Sequence, residues 1–445
     1  MSDLVLEKII VYGTVFLFCV VIVFLYLRRK NKATRQTMAK VAIAKEEGLH
    51  EPVSLHPFID PNACIGSGAC VKACPEEDIL GMVNGQASVI NASNCVGHGA
   101  CFHACPVEAI TLRIGTEVRG IDLPHVNQNF ETNMKGIYIA GELGGMGLIK
   151  NSVEQGQQAI ESILNRKKPN SKKLIDVAII GAGPAGISAT LSAKKNGLTS
   201  VTLEQDSLGG TVFTFPRSKV VMTSPMNLPL HGKVKLRDTS KQELLELWQR
   251  VISENNISIK ENSKVENIIP QEDGSFKLVT SEGKDYFSNN VLIAIGRRGS
   301  PRKLGILGED SEKVAYRMLE PELIENKDIL VVGGGDSAME AAMLMMDKNR
   351  VKILVRSDSF TRSKPKNREN ITMASESGRL EIIFNSGLVS INPRSCIVKI
   401  EYQDAVEVKN DLVYIFAGGL LPTAFLEKAG VAITKRFGYI MKKHG

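Results

Sequence analysis

The 445 residues contain no low-complexity tract, which excludes a disordered or fibrous chain. Charge is absent altogether from Ile9 to Leu27. Negative charge is absent from Arg28 to Lys45, where Arg28, Arg29, Lys30, Lys32, Arg35, Lys40 and Lys45 stand. Those seven equal the whole net charge of +7, so the remainder is nearly neutral and carries no nucleic-acid footprint. Cysteines are few and clustered. Of eight, six lie in two short repeats, which excludes a disulfide framework. The other two, Cys19 and Cys396, read as a small apolar residue and a structural one.

The uncharged run of 19 residues is long enough to cross a bilayer core of about 30 Å as a helix. A signal peptide would carry basic residues before the run and small residues after it. Here Asp3 and Glu7 precede it and Arg28-Arg29-Lys30 follow. The order favours a single-pass membrane anchor over a signal peptide or a buried core helix. It places the basic side on the cytoplasmic face of the cell membrane, with the N-terminus outside.

Cys64-Ile-Gly-Ser-Gly-Ala-Cys-Val-Lys-Ala-Cys-Pro75 is repeated 31 residues later as Cys95-Val-Gly-His-Gly-Ala-Cys-Phe-His-Ala-Cys-Pro106. The spacing resembles the C-x2-C-x2-C-x3-C-P run of bacterial two-cluster ferredoxins, with the second cysteine replaced by Ser67 in one copy and His98 in the other. In such ferredoxins the last cysteine of each run serves the other cluster. One site therefore collects Cys64, Ser67, Cys70 and Cys105, and the other Cys95, His98, Cys101 and Cys74. Three outcomes stay open. Oxygen or imidazole holds the fourth iron of a 4Fe-4S cluster, the fourth iron is missing as in a 3Fe-4S cluster, or the module is vestigial. Zinc on three thiolates and His98 is a further alternative for the second site. Imidazole in place of thiolate raises potential, so the His98 site should accept electrons more readily.

Leu174 to Ile180 reads as a buried strand and runs into Gly181-Ala-Gly183-Pro-Ala-Gly186 and a helix. That context gives a G-x-G-x-x-G run its meaning: the glycines admit a pyrophosphate to the helix N-terminus. The next strand ends at Glu204, 23 residues after Gly181, where a carboxylate accepts ribose hydroxyls. Ile329 to Val332 leads similarly into Gly333-Gly-Gly335-Asp336-Ser337-Ala338, and the next strand ends at Arg356, again 23 residues on. Arg356, helped by Arg362, suits a 2′-phosphate. The contrast predicts FAD at the first site and NADPH at the second. Ser240 to Trp248 reads as an amphipathic helix with a capping box.

Residues 174–440 resemble the thioredoxin-reductase-like branch of flavin-dependent pyridine nucleotide oxidoreductases, and the Ser207 to Phe213 and Val220 to Thr223 stretches resemble bacillithiol disulfide reductases. Gly209, Gly210 and Thr211 match a segment near the flavin. Gly296 and Pro301 match the hinge out of the flavin domain, and Phe416 to Gly418 with Pro422 the return hinge. The redox-active C-x-x-C of thioredoxin reductases has no counterpart, which argues against dithiol chemistry. The family's final flavin-binding element should follow Ile440, yet its match lies upstream, as Phe130 to Gly141-Glu142 with a helical run from about Asn151 to Leu164. We read a circular permutation in which Glu142 takes the place of the family's Asp. The alternative is an independent βα extension of the cysteine module.

The expected architecture is α/β: two Rossmann-like domains, for FAD and NADPH, a small α+β ferredoxin-like domain and one transmembrane helix. Its segments are an anchor (1–30), a basic juxtamembrane linker (31–55), the ferredoxin-like domain (56–115) and a permuted terminal segment of the flavin domain (116–165). A linker (166–173), FAD domain (174–298), NADPH domain (299–417) and return to the FAD domain (418–445) follow. The expected function is a membrane-anchored flavoprotein passing electrons between NADPH, FAD and two iron–sulfur clusters. Its acceptor would be a quinone, a haem protein or a soluble carrier, and a homodimer is compatible. A membrane-tethered disulfide or quinone reductase with a vestigial module, and a non-enzymatic redox sensor, are the alternatives.

Overall fold

The computed structural model describes residues 3–442 apart from 47, 53, 77, 96, 98, 146, 166–173, 216–219, 224, 237, 298–300, 319, 361 and 362. Two compact units result: residues 1–120 with 437–445, and residues 121–436.

The first unit opens with a helix over Asp3–Glu46. It contains no proline, and glycine only at Gly13, so nothing in the sequence stops it at the end of the apolar run. It continues through the basic stretch, so residues 31–46 of the expected juxtamembrane linker are helical. The apolar half exposes its large side chains, Phe16 and Tyr12 among them. The other half buries Thr37 and Ala44, and Leu49 is buried just beyond its end. Leu55–Ile59 pairs antiparallel with Ile110–Ile114. Between them lie two short helices, Ala69–Ala73 and Ala100–Ala104, and a hairpin of Leu80–Val83 with Gln86–Val89. The hairpin turns at Asn84-Gly85, both with positive φ (51° and 87°), the Asn-Gly chemistry of a tight two-residue turn. Leu55, Ile79, Leu80, Phe102, Ile110 and Leu112 form the core around Cys70 and Cys101.

The end of the chain departs from expectation. Tyr439–Lys442 does not return to the flavin domain but pairs with Ile110–Ile114, closing a three-stranded sheet. An open strand edge is a row of unpaired amides, and this strand covers it while Met441 packs on the module's core.

In the second unit, a seven-stranded sheet runs through Ile259–Lys260, Ser200–Leu203, Ile175–Ile180, Asp285–Ile293, Phe276–Thr280 and Val265–Pro270. Ile137–Ile139 is its seventh strand, parallel to Val291–Ile293. The helix Ile149–Leu164 packs on the helix Pro184–Lys195, so closely that a Cβ on Gly156 would stand 2.1 Å from the Ala185 carbonyl oxygen. Val153 and Ile160 are fully buried there, each contributing about 1.5–3 kcal/mol. A second, parallel sheet orders Val314–Ala315, Leu412–Ile415, Asp328–Val332, Arg350–Leu354 and Leu380–Ile383. The helix Lys241–Glu254 starts at Ser240, whose hydroxyl accepts from Glu243 N at 3.1 Å, as its sequence indicates.

Candidate functional site

Each cysteine loop is shaped by two left-handed glycines, Gly66 and Gly68 (φ 73° and 68°) and Gly97 and Gly99 (φ 75° at both). Only glycine adopts this backbone freely, so the loop can curl around a bulky group. Each loop then enters a five-residue helix that ends on an extended cysteine, Cys74 or Cys105. The crossover follows from this geometry. One cavity is lined by Cys64, Ser67, Cys70 and Cys105, with Ile65, Val107 and Ile110 around them. Cys95, Cys101 and Cys74 form the second neighbourhood, each close enough to perturb another. The Ser67 hydroxyl accepts from Ala69 N at 3.4 Å. His98 lies outside the described residues.

Burial pushes the Cys101 thiol up to about 12 and Cys95 up to about 11. Burial also raises Cys70 and Cys74. Such thiols stay protonated in the metal-free chain, and loading a cation must expel those protons. Backbone amides already point at the sulfurs, among them Gly97 N to Cys95 Sγ at 3.4 Å and Ala109 N to Cys105 Sγ at 3.3 Å. Such bonds favour thiolate and would tune a cluster held there. Among the described residues, no three His, Cys, Asp or Glu side chains converge on a single-ion site. A cluster spaces its thiolates around a cage rather than on one atom, and the donor set of three thiolates per neighbourhood fits it.

At the first fingerprint, Gly181 has φ 102°, and a Cβ there would stand 2.7 Å from the Ala294 carbonyl oxygen. A Cβ on Gly186 would stand 1.8 Å from the Gly181 oxygen. Gly183 between them faces open space, so backbone is exposed where a pyrophosphate approaches. Glu204 is only 4% exposed; its Oε2 accepts from Ala182 N at 2.6 Å and its Oε1 from Asp206 N at 3.0 Å. Burial raises its pKa, the two amides opposing. Gly210 (φ 53°) lies against Gly183, and Gly296 (φ 70°) near Thr211. This open backbone rim with a buried carboxylate fits an adenine dinucleotide.

Glu142 follows Gly141 (φ 85°), whose amide donates to Gln155 Oε1 at 2.8 Å. Sequence reasoning missed Arg297. Burial lowers its pKa, with Glu142 and then Asp122 acting against that. Its position directly after Gly296 was the available signal, but nothing in the sequence joins it to Glu142.

At the second fingerprint, Gly333 (φ 138°) would drive a Cβ to 2.6 Å from the Phe416 oxygen, while Gly335 faces open space. Asp336 Oδ1 accepts from Lys364 N and from Asn367 Nδ2, both at 2.8 Å, tying the start of the helix Asp336–Met345 to the start of the helix Pro365–Glu376. Ser337 and Arg356 are exposed, and Ala338 is fully buried. Arg362 lies outside the described residues.

Residues 178–442 match the pyridine nucleotide-disulphide oxidoreductase family, and the chain belongs to it. Residues 56–106 match the 4Fe-4S dicluster domain. The chain is 26% identical over 265 residues to bacilliredoxin reductase Bdr of Bacillus subtilis, covering 58% of this chain and 82% of Bdr. It is 32% identical over 243 residues to ferredoxin–NADP reductase of Picrophilus torridus, covering 53% of this chain and 67% of that protein. Among solved structures, bacillithiol disulfide reductase Bdr (YpdA) of Bacillus cereus superposes with a TM-score of 0.51 at 22% identity, over 61% of this chain and 86% of that one. The protein is thus an FAD-dependent NAD(P)H oxidoreductase joined to an iron–sulfur domain.

Proposed function

We propose that the protein is a membrane-anchored NADPH-dependent flavoprotein that relays electrons to an acceptor at the cytoplasmic face of the membrane. The observation that carries this is the union, in one chain, of two three-thiolate neighbourhoods with two dinucleotide cradles of opposite terminal charge. FAD, when bound, would supply the step between the two-electron hydride of NADPH and the single electrons that iron–sulfur clusters carry. The chain's own residues do the rest. Gly333, Gly335 and Ala338 position the nicotinamide nucleotide, and Arg356 holds its 2′-phosphate. Gly181, Gly183, Gly186 and Glu204 hold FAD, and Gly209, Gly210, Thr211, Gly296, Gly141 and Glu142 complete the flavin side. Cys64, Cys70 and Cys105 hold one cluster, and Cys95, Cys101 and Cys74 the other, with Ser67 and His98 at the fourth positions.

Residues 116–165 act in this reading as a circularly permuted closing segment. The parallel pairing of Ile137–Ile139 with Val291–Ile293 supports it. The exposed apolar run of the first helix, flanked by Arg28, Arg29 and Lys30, supports the anchor. Iron and acid-labile sulfide, assayed on full-length protein purified anaerobically, test the relay. Both are expected in excess over FAD. Iron-free protein that oxidises NADPH at full rate would overturn the relay and favour a disulfide or quinone reductase with a vestigial module, the reading to which the likeness to Bdr points.

A further inference from the structure

The first helix serves as a ruler along which the cysteine module is laid out. Lys30 lies three residues past Leu27, the last residue of the uncharged run, a rise of about 4.5 Å. A Cβ on Gly85 would stand 2.9 Å from Lys30 Nζ, so the hairpin turn sits at that level. Further along, Asn84 N donates to Thr34 Oγ1 at 3.3 Å, and Gly81 packs on Thr37. Lys40 pairs with Asp78 at 2.5 Å, and Ser93 N donates to the Leu49 carbonyl at 2.9 Å, two residues before Cys95. From Lys30 to Lys45 the helix rises about 22 Å. The module therefore has an end near the uncharged run and an end far from it.

The first cysteine loop is at the near end. A Cβ on Gly66 would stand 1.9 Å from the Gly85 oxygen, so this loop lies directly on the hairpin turn that Lys30 touches. Gln86 Nε2 donates to the Cys64 carbonyl at 3.2 Å and to the Pro61 carbonyl at 2.7 Å, fixing it there. Two apolar side chains face solvent on this loop's cavity: Ile65 is 68% exposed and Val107 is 37% exposed.

We propose that the Cys64–Gly68 loop, with Ile65 and Val107, is the membrane-apposed face of the module and the docking place of a lipid-borne quinone. The inference rests on the anchor and relay reading above. An apolar lip joined through Gly66 and Gly85 to Lys30, beside the basic end of the uncharged run, suits an apolar acceptor that lives in the bilayer, whereas a soluble protein carrier would meet lipid there. The reaction served balances as NADPH + H⁺ + quinone → NADP⁺ + quinol; NADPH supplies both electrons and one hydrogen, and solvent supplies the second proton.

The test uses full-length holoprotein in vesicles of phosphatidylethanolamine and phosphatidylglycerol. The chain has one tryptophan, Trp248, which is fully buried, so an added indole reports its own depth. Ile65→Trp is expected to lose at least half of its added fluorescence to lipids brominated near the headgroup. His50→Trp, beyond the far end of the helix, is expected to keep its own. Equal quenching at both sites, or none at Ile65→Trp, overturns the placement. With a long-chain quinone in the same vesicles, Ile65→Glu is expected to lower the ratio of NADPH–quinone to NADPH–ferricyanide activity at least tenfold, both rates being taken per iron bound. Ile65→Ser serves in the same way should Ile65→Glu lose iron. Unchanged quinone reduction overturns the docking site even if Ile65→Trp is quenched. Absence of NADPH oxidation with any acceptor is a different result, and counts against the relay itself.

Discussion

The two dinucleotide cradles share strand, fingerprint and a 23-residue offset to the diagnostic side chain, yet they are built to opposite ends. The first ends in Glu204, buried and held by two backbone amides. The second ends in Arg356, exposed just past the end of the strand Arg350–Leu354. A carboxylate kept from water by its own fold suits a cofactor that stays. A guanidinium in solvent suits a nucleotide that must arrive and leave within each turnover. The third fingerprint position differs too: a Cβ on Gly186 would stand 1.8 Å from the Gly181 oxygen, whereas the second site carries the fully buried Ala338 there; the middle glycines, Gly183 and Gly335, both face open space.

The sharpest way to break this comparison is Gly186→Ala against Gly335→Ala. The first forces a Cβ into the Gly181 carbonyl and is expected to leave less than about a tenth of the FAD per chain, read from flavin absorbance. The second is expected to keep full FAD and a folded chain. Equal loss in both would mean that the two cradles are not distinct. Next in size is Arg356→Gln. Losing charge-assisted bonds of about 1.5–3 kcal/mol should raise the KM for NADPH roughly 10- to 100-fold and leave kinetics with NADH unchanged. A parallel rise for NADH would remove the 2′-phosphate role.

Glu204→Gln is expected to weaken FAD binding about tenfold, measured by flavin release on dilution, with the KM for NADPH untouched. The smallest effect is on pH dependence. Burial raises the Glu204 pKa above its unfolded value, so the stabilisation is present at low pH and is lost as pH rises through the raised value. The melting temperature of apoprotein should carry a falling component from about pH 4 upward that Glu204→Gln removes. Identical profiles would show that the raised carboxyl has no energetic consequence.

Much of this was legible in the chain because it is local. A glycine fingerprint after an apolar strand, a diagnostic charge at the next strand's end, and the C-x5-C-x3-C-P runs that remain once Ser67 and His98 replace cysteine each lie within a few dozen residues. The crossover of Cys105 to the Cys64 neighbourhood could be read because the runs resemble two-cluster ferredoxins, in which the last cysteine of each run serves the other cluster. What escaped is long-range. The strand Tyr439–Lys442 pairs with Ile110–Ile114 across more than 300 residues, and no local pattern specifies a partner at that distance. Arg297 comes within electrostatic reach of Glu142 only because the distant strands that lead into them, Ile137–Ile139 and Asp285–Ile293, pair in parallel. The unbroken helix to Glu46 was obscured by its polar half, whose charges resemble a linker although nothing there breaks a helix.

The most direct measurement is an anaerobic NADPH titration of the full-length protein, counting electrons taken up per FAD while the visible spectrum and the electron paramagnetic resonance signal are followed. FAD alone stores two electrons; with clusters that fill from the same nucleotide, uptake should pass two per FAD and cluster signals should grow in step. An end point at two electrons per FAD, with iron–sulfur absorbance unmoved, would contradict it.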